Sequence, residues 1–163
     1  MLKNIVIIGS AGALGNALTT QISLSHPDAV IHAFSRKESL AKTHNISTHV
    51  MDYGSETSIE SAAILASQDG PIDLVIIATG ILHDGELTPE KSLKDLSAEK
   101  LQYFFTANTI LPAIVAKHFT PYLNKIEPSI FAVLSARAGS ISDNGLGGWY
   151  SYRASKAALN MII

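Results

Sequence analysis

The sequence predicts an α/β fold, a doubly wound parallel sheet in a three-layer α/β/α arrangement, carried in a single domain over residues 1–163. Two observations predict it. Short apolar, β-branched runs alternate with helical patterns along the whole chain, the signature of parallel strands joined by right-handed helical crossovers. A glycine-rich turn also sits directly between the first such run and the first helical pattern. Composition permits this fold: of 163 residues 47% are hydrophobic and 16% charged, enough apolar material for a sizeable core and too little charge for a disordered chain.

The elements follow in order. Asn4 to Ile8 is an apolar run read as a strand buried on both faces. A helical pattern from about Gly12 to Leu24 places Leu14, Ala17, Leu18 and Ile22 on an inner face, and His26-Pro27-Asp28 ends it. Ala29 to Phe34 is the second strand and Ser47 to Met51 the third. Ser55 to Ser67 is a helix, with a capping box shifted to Thr57-x-x-Glu60. Ile72 to Ala78 is the strongest strand pattern, followed by a polar connection, Gly80 to Ser97, that contains Pro89. A long helix is predicted from about Ala98 to Asn124, kinked by Pro112, with Phe104, Leu111, Val115 and Phe119 among its core residues. Ser129 to Ser135 is the fifth strand, Gly139 to Gly148 a loop rich in Gly, Ser and Asn, and a last helix begins near Tyr150. That helix runs to Ile163 with no stop signal, so a longer native chain is expected.

Several function classes are disfavoured. Twelve basic and fourteen acidic residues give a net charge of -2 without a basic stripe, so nucleic acid is not an expected partner. No apolar run approaches membrane-spanning length. The absence of cysteine excludes disulfides and thiolate chemistry and fits a reducing cytoplasm. His26, His32, His44, His49, His83 and His118 show no metal-ligand spacing, and no metal is expected. Asp84 and Glu86, near His83, read as a solvated pair.

Two motifs carry chemistry. Gly9-Ser10-Ala11-Gly12-Ala13-Leu14-Gly15 links the first strand to the first helix. Glycines there permit a tight turn and close approach of a pyrophosphate, and the helix start offers free N–H groups with a positive dipole end. At the end of the second strand, where an acid would read a ribose 2′-hydroxyl, stand Ser35-Arg36-Lys37. Cations there suit a 2′-phosphate, which favours NADP(H) over NAD(H). Asp52, followed by Tyr53, is placed to accept from an adenine amino group or to serve as the acid of a simple turn. The second motif is Tyr152-x-x-x-Lys156, one turn apart on one helix face. A neighbouring ammonium is expected to lower the phenol pKa and fit it for proton exchange with a substrate oxygen.

The glycine turn, the serine-bearing segment after the fifth strand (Leu134-Ser135-Ala136-Arg137-Ala138-Gly139-Ser140) and Tyr152-x-x-x-Lys156 stand in the order that resembles the short-chain dehydrogenase/reductase family, in particular its C-factor-like and carbonyl-reductase-like branch. The resemblance covers the whole chain. It implies a Rossmann-type fold, NADP(H), a small-molecule carbonyl substrate and a homodimer or homotetramer. It makes Tyr152 the general acid in carbonyl reduction, Lys156 the group that tunes it and holds the nicotinamide ribose, and Asn108 the helix asparagine of a proton relay. The alternative for Asn108 is an asparagine bonding a backbone group at the Pro112 kink. Ala78-Thr79-Gly80 stands where relatives carry Asn-Ala-Gly and is expected to line the cofactor channel.

One departure bears on activity. Relatives place a carbonyl-polarising serine where this chain has Ala136, so Ser135 or Ser140 is left to supply the hydroxyl. Loss of such a donor costs about 3 kcal/mol of transition-state stabilisation. Two readings therefore stand: an NADPH-dependent carbonyl reductase, and a weakly active or inactive dinucleotide-binding signalling protein. A nucleotide-sugar epimerase, suggested by the glycine spacing alone, is disfavoured by the segment around Tyr152.

Overall fold

The computed structural model describes residues 2–37, 43–85 and 87–163, which form two compact units, 1–79 with 114–133, and 80–113 with 134–163. All five strands belong to the first unit: β1 (Asn4–Ile8), β2 (Val30–Ser35), β3 (Ile46–Val50), β4 (Leu74–Ile77) and β5 (Ile130–Val133). They make one parallel sheet in the order β3-β2-β1-β4-β5, with Ile5 beside Ile31 on one flank and Leu74 on the other. The order reverses at β1, between β2 and β4, which is the topological switch point of a Rossmann-type sheet.

β1 is buried along its whole length, as its unbroken apolar run requires. Ile5, Ile7, Ile31, Ala33, Ile46 and Leu74 pack together as the core cluster. Each isoleucine or leucine fully withdrawn from water contributes about 1.5–3 kcal/mol. Asn4 donates its side-chain amide to Ala66 O and Gly70 O at 2.8 and 2.9 Å, which ties the start of β1 to the last turn of α2 (Glu56–Ser67) and the residues just after it.

The helices depart from the sequence reading in three places. α1 (Ala13–Ser25) buries Gly15, Thr19 and Ser23, whereas Leu14 and Ala17 are exposed and Leu18 and Ile22 half-buried. The small residues let this helix lie close to the strand-to-helix turn: a Cβ on Gly15 would sit 2.1 Å from Gly9 O. α2 is capped by Ser55, whose side chain accepts Ser58 N–H at 3.3 Å, and not by Thr57 with Glu60. The long helix is broken into α3 (Ala98–Phe105), a π-helical turn (Thr106–Ile110) and α4 (Leu111–Phe119). Pro112 has no N–H and its ring crowds the carbonyl four residues back, so the chain widens just before it. Pro121 likewise turns the end into a short 3-10 segment, Thr120–Tyr122, well before Asn124.

In the second unit α3 and the π turn pack against α5 (Tyr150–Ile162). A 3-10 turn, Arg137–Gly139, also lies on α5: a Cβ on Gly139 would come within 2.8 Å of Lys156 backbone and side-chain atoms. Among the described residues no helix is long and apolar enough to cross a membrane.

Candidate functional site

The glycine turn lies in the first unit. Gly9 has φ +92°, a conformation that glycine adopts freely, and a Cβ there would press on Ala78 and Thr79 at 3.0 Å. Its N–H, the Ser10 N–H and the Ser10 hydroxyl all donate to Phe34 O, at 2.9, 3.1 and 3.1 Å. Gly12 N–H donates to Gly9 O and closes the turn. Ala11, Gly12, Ala13 and Leu14 are exposed. The start of α1 has no side-chain cap and no acid in its first turn, so among the described residues no side chain takes up its first amides. Nearby in sequence to β4, the Thr79 hydroxyl is buried and has no hydrogen-bond partner. A cradle that a Cβ would fill, an uncapped helix start and an orphaned hydroxyl fit a phosphate-bearing dinucleotide.

At the end of β2 the structure sorts the predicted ribose readers. Arg36 is exposed and its guanidinium carbon lies 5.9 Å from the ring centre of Tyr53. Burial pushes the Tyr53 phenol up to about 12 against the pull of Arg36. Ser35 is turned inward and donates to Lys37 O, so of the two it is Arg36 whose side chain is exposed. Asp52 is exposed, and its carboxylate accepts Gly54 N–H at 2.9 Å, the simple-turn role left open by the sequence.

Tyr152 and Lys156 lie in the second unit, one turn apart on α5. Tyr152 is half-buried, edge-on to Phe104 and Trp149 with ring centres 6.3 and 6.2 Å away. No side chain among the described residues hydrogen-bonds its hydroxyl, which leaves the phenol open to a substrate. Lys156 is buried and donates from Nζ to Leu134 O at 2.9 Å. Gly80 borders the ammonium: a Cβ on it would stand 3.3 Å from Nζ.

The expected lowering of the phenol pKa by the lysine is not realised here. Desolvation holds Tyr152 above the ordinary tyrosine value and Lys156 below the ordinary lysine value. The ammonium is spent on a backbone carbonyl rather than on the phenol.

Asn108 sits in the π turn, fully buried. Its Oδ1 accepts Ile81 N–H at 2.8 Å, and its Nδ2 donates to Ile81 O at 3.0 Å and Ser155 Oγ at 3.1 Å. It therefore clamps the segment after Gly80 onto α5. Ser135 follows the end of β5, is exposed, and donates to Asn160 Oδ1 at 2.6 Å. Ser140 is half-buried, shares a 3.2 Å bond with Ser142 and accepts Asp143 N–H. His83 and Asp84 are exposed, Asp84 accepting from Tyr103, and Glu86 lies outside the described residues.

Sequence reasoning missed Glu90, Ser151, Ser155 and Thr109. Thr109 Oγ1 donates to Ser155 O at 2.7 Å, and Ser151 donates to the Glu90 carboxylate. Their signal is weak by nature: these bonds join residues 46 and 61 positions apart, and no local pattern announces them.

The comparisons bear on this geometry. The family model described as short chain dehydrogenase matches residues 3–163. The chain is 25% identical over 162 residues to 1-hydroxy-2-glutathionyl-2-methyl-3-butene dehydrogenase from Rhodococcus sp. (strain AD45), covering 99% of this chain and 68% of that protein. It is 34% identical over 94 residues to the C-signal protein of Myxococcus xanthus, covering 58% of this chain and 54% of that protein. The fold superposes on an NADPH-bound carbonyl reductase from chicken fatty liver with a TM-score of 0.82 at 24% identity, covering 99% of this chain and 69% of that one. The chain thus spans between about half and two thirds of the length of these two curated relatives.

Proposed function

The chain belongs to the short chain dehydrogenase family, and from that premise we propose that it is an NADP(H)-dependent oxidoreductase acting between a carbonyl and the corresponding alcohol, with Tyr152 as general acid/base. The observation that carries this reading is the pair on α5: a phenol without a hydrogen-bond partner among the described residues, one turn from a buried lysine. A nicotinamide dinucleotide supplies the hydride when bound. The uncapped start of α1 and the Gly9–Gly15 turn would hold its pyrophosphate, and Arg36 would pair with the 2′-phosphate. The NADPH-bound carbonyl reductase of similar fold supports that choice of cofactor.

In reduction Tyr152 donates its phenolic proton to the substrate oxygen as negative charge develops there. Burial holds the phenol above its ordinary pKa, so it is protonated at neutral pH but is a weaker acid than an exposed tyrosine. Lys156 holds the nicotinamide ribose, with two of its three N–H donors remaining after Leu134 O is served. Ser140, whose hydroxyl meets only its own loop, is the better replacement for the serine absent at 136, because Ser135 is tied to Asn160.

A second reading draws on Ala136 itself. A site without the carbonyl-polarising hydroxyl suits a dinucleotide-binding signalling protein with weak activity, and the similarity to C-signal supports it. The deciding experiment combines fluorescence titration with NADPH and NADH and a screen of carbonyl substrates, each on the chain as it stands and on Tyr152→Phe. NADPH-dependent turnover that Tyr152→Phe abolishes supports the reductase. Tight NADPH binding without turnover selects the second reading, and failure to bind either nucleotide overturns both.

A further inference from the structure

α5 begins in an unusual way. Gly147, Gly148 and Trp149 have φ +67°, +66° and +52°, so three successive residues take the left-handed conformation before the helix starts. Trp149 is the only described non-glycine residue with positive φ, and it occupies the N-cap. A tryptophan there has no side-chain oxygen to accept the first amides of the helix, and the position ordinarily belongs to Ser, Thr, Asp or Asn.

The missing acceptor comes from Glu90, 61 residues earlier than Ser151. Its backbone carbonyl accepts Trp149 N–H at 2.7 Å. One carboxylate oxygen accepts Ser151 N–H at 3.3 Å, and the other accepts the Ser151 hydroxyl. Glu90 is 1% exposed and Ser151 fully buried, and among the described residues no cation pairs with the carboxylate. Its partners are instead the Ser151 N–H and hydroxyl at the start of α5. A carboxylate in this setting belongs where amides and a helix start await it, and it is costly anywhere else.

We propose that Glu90 is a positioning residue for Tyr152: it replaces the local N-cap of α5 from a distant segment and so fixes the turn on which the phenol stands. The consequence lies in what the N-cap position is then free to hold. With the cap supplied remotely, residue 149 carries an indole, and its ring stands edge-on to Tyr152 with an interplanar angle of 76°. Phe104 closes another side of the phenol. Gly148 completes the device, because a Cβ on it would come within 3.2 Å of Glu90 O. The catalytic meaning rests on the reading of Tyr152 given above; the cap itself does not.

The test uses the full chain and readouts that need no turnover. Trp149 is the single tryptophan, so its emission reports this turn alone. In Glu90→Ala, Ser151 amide exchange should rise at least about tenfold, the Trp149 emission should shift, and the Tyr152 ring resonance, assigned with Tyr152→Phe, should move. Glu90→Gln keeps an acceptor oxygen and should restore most of the protection and the emission. Should Glu90→Ala fail to fold, Ser151→Ala removes the hydroxyl half of the cap and should shift the same signals less. Unchanged exchange, emission and ring signal in Glu90→Ala, or no difference between Ala and Gln at 90, overturns the proposal. Where turnover is found, Glu90→Ala should lower kcat with NADPH affinity unchanged. A wild-type chain without turnover overturns the acid role of Tyr152 while exchange and emission still decide the cap.

Discussion

The two helix starts, α1 and α5, solve the same problem in opposite ways. Every helix leaves its first amides without intrahelical partners. At α1 they stay free: Gly12 offers no side-chain acceptor and the first turn holds no acid. At α5 one of them, the Ser151 N–H, is taken by a buried glutamate from another part of the chain, which also accepts the Ser151 hydroxyl. An open start is an anion site, and a closed start is a rigid mount for a side chain. The difference teaches that an unfilled cap and an overbuilt cap both point to function, since an ordinary helix carries a modest local cap such as Ser55 on α2.

The sharpest way to break this comparison is at the mounted side chain. Tyr152→Phe should leave NADPH binding at the open start unchanged while carbonyl reduction falls about 10²- to 10⁴-fold, as steady-state kinetics beside a binding titration will show. A variant that keeps its turnover removes the functional half of the contrast. Next in size is Gly15→Ala. Its Cβ would overlap Gly9 O at 2.1 Å, so stability to urea should drop by about 1–3 kcal/mol and NADPH binding should be lost. Arg36→Glu is gentler on the fold: NADPH should bind roughly 10- to 100-fold more weakly and NADH no worse, a difference that fluorescence titration reads directly.

The smallest effect is one of pH. His32 and His49 lie 3.2 Å apart through Nδ1 and Nε2 on β2 and β3, and His32 Nε2 faces Asp69 at 3.1 Å. Burial holds both histidines below their ordinary 6.5; for His32 the neighbouring His49 adds to this and Asp69 opposes it, and for His49 Asp69 alone opposes it. The unfolded chain then binds more protons than the folded one below about pH 6.5. Their contribution to stability is whole above that pH and fades as the pH falls toward the lowered folded values. Urea midpoints should decline from pH 7.5 to 5.5, and His49→Gln should flatten the decline. A Trp149 emission that is unchanged over this range before unfolding would show that the effect belongs to the sheet and not to the start of α5.

Much of the fold was legible in the sequence. β1 was readable to the residue because a strand buried on both faces is a continuous apolar run. The glycine turn and the Tyr152–Lys156 spacing were readable because each is a local geometry written within seven residues. The inner face of α1 was misjudged for a physical reason: periodicity finds the largest apolar residues, but close approach to the turn selects the smallest, Gly15, Thr19 and Ser23. Pro112 announced a disturbance but not its form, and the chain answered with a π turn that places Asn108 inside the second unit.

By itself the sequence determined the order of strands and helices, the glycine turn and the spacing of the phenol and the lysine, because these depend on neighbours within a turn or two. Only the tertiary structure decided that Lys156 serves Leu134 O, that burial raises Tyr152 where the lysine was expected to lower it, that Asn108 clamps Ile81, and that Glu90 caps α5. These depend on which polar groups are buried together across 22 to 61 residues of chain, and desolvation, which sets their strength, exists only once the fold has closed around them.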